Sequence, residues 1–320
     1  MSGPVHHVYS IPMRTRFRGI TVREGMLLRG PAGWGEFSPF LEYDAAEAAA
    51  WWRSARESAE QGWPAPRRDR VAVNVTVPAV DPEAAIRIVE GGNGCRTAKV
   101  KVAEPGQSLR DDADRVAAVR DALGPTGLVR IDANGGWSVD DAVDAIAVLD
   151  RAAGGLEYVE QPGRTVDDLA RIRRRVAVPV AADESIRRAE DPYLVRDREA
   201  ADIAVLKVQP LGGVRACLRI AEEIGLPVVV SSALETSVGI AAGVALAAAL
   251  PVLEHACGLA TVQLLSDDVV GHPLLPVDGF VPVVPPDVDE EALARTRAAD
   301  DRVAHWKLML AEVMRQDRSS

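Results

Sequence analysis

Three carboxylates recur along the chain at the same kind of place. Asp132, Glu160 and Asp183 each end a short apolar run of strand length, at 129–132, 156–160 and 178–183. The intervals are 28 residues from 132 to 160 and 23 from 160 to 183, each about one strand-plus-helix unit. A carboxylate at the carboxyl end of a buried strand is costly unless it is paired or holds a metal. Three of them on successive parallel strands form the skeleton of a divalent-metal site. Carboxylates and water suit a hard ion such as Mg²⁺, with Mn²⁺ as a substitute.

Lysines flank these acids. In Lys99-Val100-Lys101 both ammonium groups point to one side of a strand, while Ala98, Val100 and Val102 face the other. Lys207 closes a later run, Val205-Leu206-Lys207, on the side opposite Leu206. Lysine is seldom buried without a partner, and the three acids lie on the strands between the two lysine strands. A metal ion would stabilise an enediolate, and a lysine would take the proton beside a substrate carboxylate. Burial and neighbouring cations help such a lysine lose its charge, whereas anionic ligands oppose that. Arg130 falls one layer deeper than Asp132 and needs an acidic partner, and strand parity turns Glu184 away from the site. The histidines at 6, 7, 255, 272 and 305 have no ligand spacing, so zinc is not expected.

Such residues need strands to carry them. Apolar, β-branched runs start near Val71, Thr97, Leu128, Leu156, Val178, Asp202, Pro227 and Val252. Helical stretches such as 111–123, 140–151, 166–175 and 214–224 separate them. Eight alternating units imply a closed (β/α)8 barrel with its chemistry at the carboxyl ends of the strands. An open doubly wound sheet is the weaker reading, because no glycine-rich phosphate turn follows the first strand. Residues 1 to about 42 read as strands and turns, followed by a helix at 43–61 with Asp44 as N-cap and Gly62 as its end. After about 265 the alternation stops, and a polar helix begins at Glu290. We therefore expect an α/β chain with a small α+β capping domain built from both termini, residues 1–70 and 265–320, around a barrel at 71–264. Arg14, Arg16 and Arg18 alternate, which suits either a solvated face or a clamp for a carboxylate-bearing ligand.

The 320 residues fit one barrel of roughly 250 residues plus a smaller attached domain. With 37 basic against 47 acidic residues, net charge -10, the chain is unsuited to nucleic acid or an anionic membrane surface. Three scattered cysteines do not make a disulfide framework, and the N-terminal stretch has no signal-like apolar run, so a cytoplasmic protein is expected. The longest apolar run, 238–253, is 16 residues, short of the ~20 a spanning helix needs, and is expected as a buried barrel helix.

On these residues the whole chain resembles the enolase superfamily, in its muconate-lactonising-enzyme-like branch. Asp132, Glu160 and Asp183 match that branch's metal ligands, Lys99 and Lys101 its Lys-x-Lys, and Lys207 its later lysine. Within the branch the chain is similar to the actinobacterial-type o-succinylbenzoate synthases, through Arg14 to Gly19, Gly33 to Pro39 and Ser231 to Glu235. The resemblance implies dehydration of 2-succinyl-6-hydroxy-2,4-cyclohexadiene-1-carboxylate to 2-succinylbenzoate, in menaquinone biosynthesis. It gives Lys101 the proton abstraction, places Lys207 across the ring, and has Lys99 tune Lys101. Ser231 and Ser232 fall where relatives meet the acyl side chain, or else they cap the helix expected from Glu235. Racemisation of N-succinylamino acids, dipeptide epimerisation and cycloisomerisation use the same chemistry and stay open. A catalytically silent barrel used as a binding module is the rival from another class.

Overall fold

The computed structural model describes residues 5–188 and 192–317. The outer parts of the expected capping segments, residues 1–4 and 318–320, lie outside these. Strands β1 (Val5–Phe17), β2 (Ile20–Gly30) and β3 (Gly33–Phe37) form an antiparallel sheet in that order. Helix α1 (Ala45–Arg56) packs on it. Asp44 caps that helix as expected, accepting the N–H groups of Ala46 and Glu47, while the Glu47 carboxylate returns to the Asp44 N–H. A π-turn at 57–61 carries the helix to Gly62. The sheet and helix approach closely because Gly35 faces the helix: a Cβ there would lie 2.0 Å from the Ala55 carbonyl.

The chain then enters the barrel. Strand β4 (Arg70–Ala72) precedes seven parallel strands: β5 (Val75–Val77), β6 (Thr97–Lys101), β7 (Leu128–Asp132), β8 (Val159–Glu160), β9 (Val180–Ala182), β10 (Ile203–Lys207) and β11 (Val228–Ser231). Helices α2 (Pro82–Glu90), α3 (Leu109–Leu123), α4 (Val139–Ala153) and α5 (Val166–Arg173) cover the first strands. Each starts at a side-chain cap: Asp81, Ser108, Ser138 and Thr165. Two short helices, α6 (Glu184–Arg187) and α7 (Leu194–Asp197), follow β9. Helices α8 (Val214–Ile224) and α9 (Ser237–Ala249) complete the set. Every residue of α9 is buried, and no described helix is long and apolar enough to cross a membrane.

Two of the eight expected strands differ. The run from Val71 does not begin a parallel strand: β4 pairs antiparallel with β12 (Phe280–Pro282), and the barrel strand starts at Val75. No strand begins near Val252, which is exposed. The ring closes further on, at Cys257 and Gly258. Cys257 donates to the Ala72 carbonyl at 2.8 Å and accepts from the Asn74 N–H at 2.9 Å. Gly258 donates to the Val230 carbonyl at 2.8 Å and accepts from the Ser232 N–H at 3.1 Å. The segment before them is committed to side chains instead, with Ala256 O accepting from Arg130 and His255 bonded to Glu157. The closed ring settles the architecture as a modified (β/α)8 barrel with a capping domain and excludes the open sheet.

Past residue 265 the chain divides its packing. Leu274 and Val281 join the barrel core, whereas α10 (Glu290–Thr296) and α11 (Asp300–Asp317) dock on the N-terminal sheet and α1. Trp306 is fully buried, meets the Phe37 ring edge-on at 6.1 Å, and donates its indole N–H to Glu24.

Candidate active site

The register of the sheet sets the site. Lys101, Asp132 and Glu160 are direct neighbours across β6, β7 and β8, so their side chains leave the barrel at one level. Asp183 follows β9 at the next strand end and Lys207 ends β10. Alternation sends Ala98, Val100, Ala204 and Leu206 into the core under the helices, which leaves Lys99, Lys101 and Lys207 for the interior.

Ion pairs lace these groups together. Lys99 Nζ lies 3.1 Å from Asp132 Oδ2 and 2.9 Å from Glu160 Oε1. Lys101 Nζ is 2.6 Å from Asp132 Oδ2 and also donates to Asn134 Oδ1 at 2.6 Å. Lys207 Nζ is 2.5 Å from Asp183 Oδ2, whose other oxygen accepts from Arg187 at 2.9 Å. Burial works to raise the Asp132 carboxyl, but Lys101 and Lys99 prevail and hold it far below the usual range. Asp183, likewise raised by burial but lowered more by Arg187 and Lys207, sits at about 2. Glu160 goes the other way, pushed up to about 7 by burial and then by the charge of Asp132. Burial lowers Lys99, but Glu160 and Asp132 outweigh it and hold the ammonium well above its ordinary value.

Among the described residues no three acid, histidine or cysteine side chains stand ready in metal-coordinating geometry. The carboxylates hold ammonium groups instead, and one ammonium, that of Lys99, spans both Asp132 and Glu160. The donor set nevertheless fits a hard cation. Three buried carboxyl groups end neighbouring strands, and Glu160 is raised first by its burial and then by the charge of Asp132.

Neighbouring groups hold this cluster in place. Gln161 Oε1 accepts the N–H groups of Asp183 and Ser185, fixing the turn that starts α6. That turn overturns the parity assignment for Glu184. As the first residue of a helix rather than part of a strand, it reaches back to the site, accepting from Asn134 at 3.2 Å and from Arg187 at 2.6 Å. Arg187 also donates to the Tyr43 hydroxyl at 2.9 Å, tying the site to the capping domain. The partner that Arg130 requires is Glu157, bonded through Nε and Nη2 at 2.9 and 2.6 Å.

The cavity above the lysines is lined by Phe17, Arg18, Phe40, Ser231, Ser232 and Leu234, among others. Ser231 and Ser232 do not cap the following helix. Thr236 does, because the helix starts at Ser237. Ser232 Oγ instead pairs with Thr261 Oγ1 at 2.5 Å. Of the three alternating arginines only Arg18 reaches the cavity, since it occupies the hairpin tip with φ 50° and stacks 3.9 Å from the Phe40 ring centroid. Arg14 turns away to the Leu265 carbonyl, and Arg16 is exposed. Arg187, Tyr43 and Asn134 were not singled out as site residues. Asn134 was visible in principle, sharing a strand side with Asp132, and Arg187 lies one helical turn after Asp183.

The chain is similar to known proteins over most of its length. The chain matches the Enolase C-terminal domain-like family over residues 82–288 and the Enolase N-terminal domain-like family over 8–59. It is 67% identical to the o-succinylbenzoate synthase of Thermobifida fusca (strain YX), covering 95% of this chain and 94% of the relative. Identity to the o-succinylbenzoate synthase of Mycolicibacterium smegmatis is 58%, covering 94% and 92%. Among solved structures, muconate lactonizing enzyme from Pseudomonas fluorescens superposes with TM-score 0.78 at 23% identity, covering 91% of this chain and 97% of that one. N-succinyl Arg/Lys racemase from Bacillus cereus gives 0.76 at 19%, covering 92% and 97%. These last two show the shared fold.

Proposed function

The chain belongs to the enolase superfamily and within it to the o-succinylbenzoate synthases, and from that premise we propose how its residues divide the reaction. The enzyme is a hydro-lyase that converts 2-succinyl-6-hydroxy-2,4-cyclohexadiene-1-carboxylate to 2-succinylbenzoate, a step of menaquinone biosynthesis. Its membership in a family of enzymes removes the silent binding module from consideration.

Lys101 takes the ring proton beside the carboxylate and then returns it to the departing hydroxyl. A C–H and a C–O bond break, the ring becomes aromatic, and water leaves. Lys207 enters the same cavity from β10 with its Nζ bonded to Asp183, and from there it stabilises the negative charge that develops on the substrate. Lys99, one layer deeper, draws Asp132 and Glu160 together and keeps positive charge beneath the substrate carboxylate. Asp132, Glu160 and Asp183 would hold one Mg²⁺, which supplies charge stabilisation for the enediolate. Phe17 shields Lys101 from the solvent side, its ring centroid 5.3 Å from Nζ. Ser231 and Ser232 border the acyl side of the substrate. We assign residues 71–264 to the catalytic barrel, and 1–70 with 265–320 to the cap, apart from Leu274 and Val281, which pack into the barrel core. The three cysteines are buried free thiols, which supports a reducing cytoplasm as the compartment.

The observation that carries this reading is the pairing of lysines from two strands with the three strand-end carboxyl groups, in a chain 67% identical to a named synthase. The test measures dehydration of the cyclohexadiene substrate with and without Mg²⁺, beside racemisation of N-succinylamino acids. We expect Mg²⁺-dependent dehydration. Vigorous racemisation with no dehydration sinks the proposal.

A further inference from the structure

Arg23 is an arginine inside the protein with no bonded carboxylate among the described residues. It sits on β2, 2% exposed, and its guanidinium serves only carbonyl groups. Two belong to the capping domain: Ser38 O, and Glu24 O at 3.1 Å. The other two belong to the barrel: Leu234 O at 2.8 Å from Nε and Ala233 O at 3.3 Å from Nη2. Ala233 and Leu234 lie in the loop after β11, whose residues 231–234 line the cavity that holds Lys101 and Lys207.

That loop has an unfavourable conformation. Leu234 has φ 63°, in the left-handed region where a branched apolar side chain is strained. Such a residue persists only when its surroundings over-determine it. Four contacts do so: the Ser232 N–H donates to Gly258 O, the Ala233 N–H donates to the Glu235 carboxyl group at 2.6 Å, and the carbonyls of Ala233 and Leu234 are both taken by Arg23. The Arg23 guanidinium also lies 4.6 Å from the centroid of Phe40, another wall of the cavity. A planar fork presents its donors in fixed, separated directions that suit diverging carbonyls from two domains, whereas a lysine ammonium bonds from a single point.

We infer that Arg23 is a positioning residue: from the capping domain it holds the left-handed turn at Leu234 and so sets the wall against which the substrate's acyl chain lies. It touches no reacting atom, and the inference rests on the dehydration proposed above. Arg23→Lys should raise KM for the cyclohexadiene substrate about tenfold, the loss of a hydrogen bond from a charged donor, and leave kcat within about threefold. Adding Leu234→Gly should recover part of that loss, because glycine adopts the left-handed turn without help. Arg23→Gln, which keeps a donor but drops the charge, is a second variant should the first not fold. Hydrogen–deuterium exchange on the ligand-free protein reads the restraint whatever the substrate: amides of 232–236 should exchange faster in either variant. A wild-type enzyme that performs no dehydration defeats the proposed function, while the exchange experiment still judges Arg23. Unchanged exchange in the loop, or a fall in kcat at constant KM, overturns the inference.

Discussion

Lys207 and Asp183 stand 2.5 Å apart at the centre of the chemistry assigned to this protein. Both are buried, and each has a further duty: Asp183 also binds Arg187, and Lys207 faces the cavity. Lys207→Ala should lower kcat by roughly 10²–10⁴-fold with an unchanged circular dichroism spectrum, since Arg187 still pairs the remaining carboxylate. Full activity in that variant and in Lys101→Ala would refute the lysine roles. Glu235 offers a different kind of test. Burial, reinforced by the charge of Glu36, pushes its carboxyl from an ordinary 4.5 up to about 7. The folded state therefore holds a proton that the unfolded state releases between those values. The associated stability is complete below about pH 4.5 and lost as pH rises through about 7, on the order of 3 kcal/mol. Glu235→Gln should flatten the fall of Tm between pH 5 and 7. An identical Tm profile in the variant would show that Glu235 titrates elsewhere.

Glycines control the closest contacts between elements. At Gly35 of β3 a methyl group would lie 2.0 Å from the Ala55 carbonyl of α1, backbone that cannot rotate aside. Gly35→Ala should therefore cost about 1–3 kcal/mol in a urea titration, through separation of sheet and helix. A midpoint within error of wild type would mean that the cap absorbs the shift. The barrel has a similar constraint at Gly258, where a Cβ would meet Ser231 Oγ at 2.6 Å. There the two closing residues leave no slack, because they replace a whole strand.

Across the whole molecule, the two ends of the chain form one cap. Trp306 of α11 fills the space against Phe37 of β3, and its loss should cost about 3–5 kcal/mol as Trp306→Ala. Denaturation monitored separately in cap and barrel would show the cap melting first, and an unaltered unfolding curve would deny it that role. The cation proposed for the site couples to global stability as well. A ligand at 100 times its Kd stabilises by about 2.7 kcal/mol, so Mg²⁺ should raise the Tm of the wild type. Asp132→Asn and Glu160→Gln should fold but lose both the activity and this response. A Mg²⁺-dependent Tm rise of wild-type size in both variants would contradict the ligand assignment.

Much of this was legible in the chain itself. Alternation within strands is strict, so the inward placement of Lys99, Lys101 and Lys207 follows once Ala98, Val100 and Leu206 are recognised as core. The acids were legible for a related reason, since a carboxylate ending a buried strand demands a partner wherever the strand goes. Glu184 was misplaced because parity holds only inside a strand, and the chain turns helical one residue after Asp183. The eighth strand was misplaced because barrel closure depends on what the ring has left unpaired, and the open hydrogen bonds of residues 72–74 and 230–232 reach Cys257 and Gly258, not Val252. Local pattern thus determined the barrel, the lysines and the acids of this protein. Only the tertiary structure decided which loops, arginines and carbonyls from the cap meet them, because contacts between residues about 200 positions apart, such as Arg23 with Leu234, leave no period in the sequence.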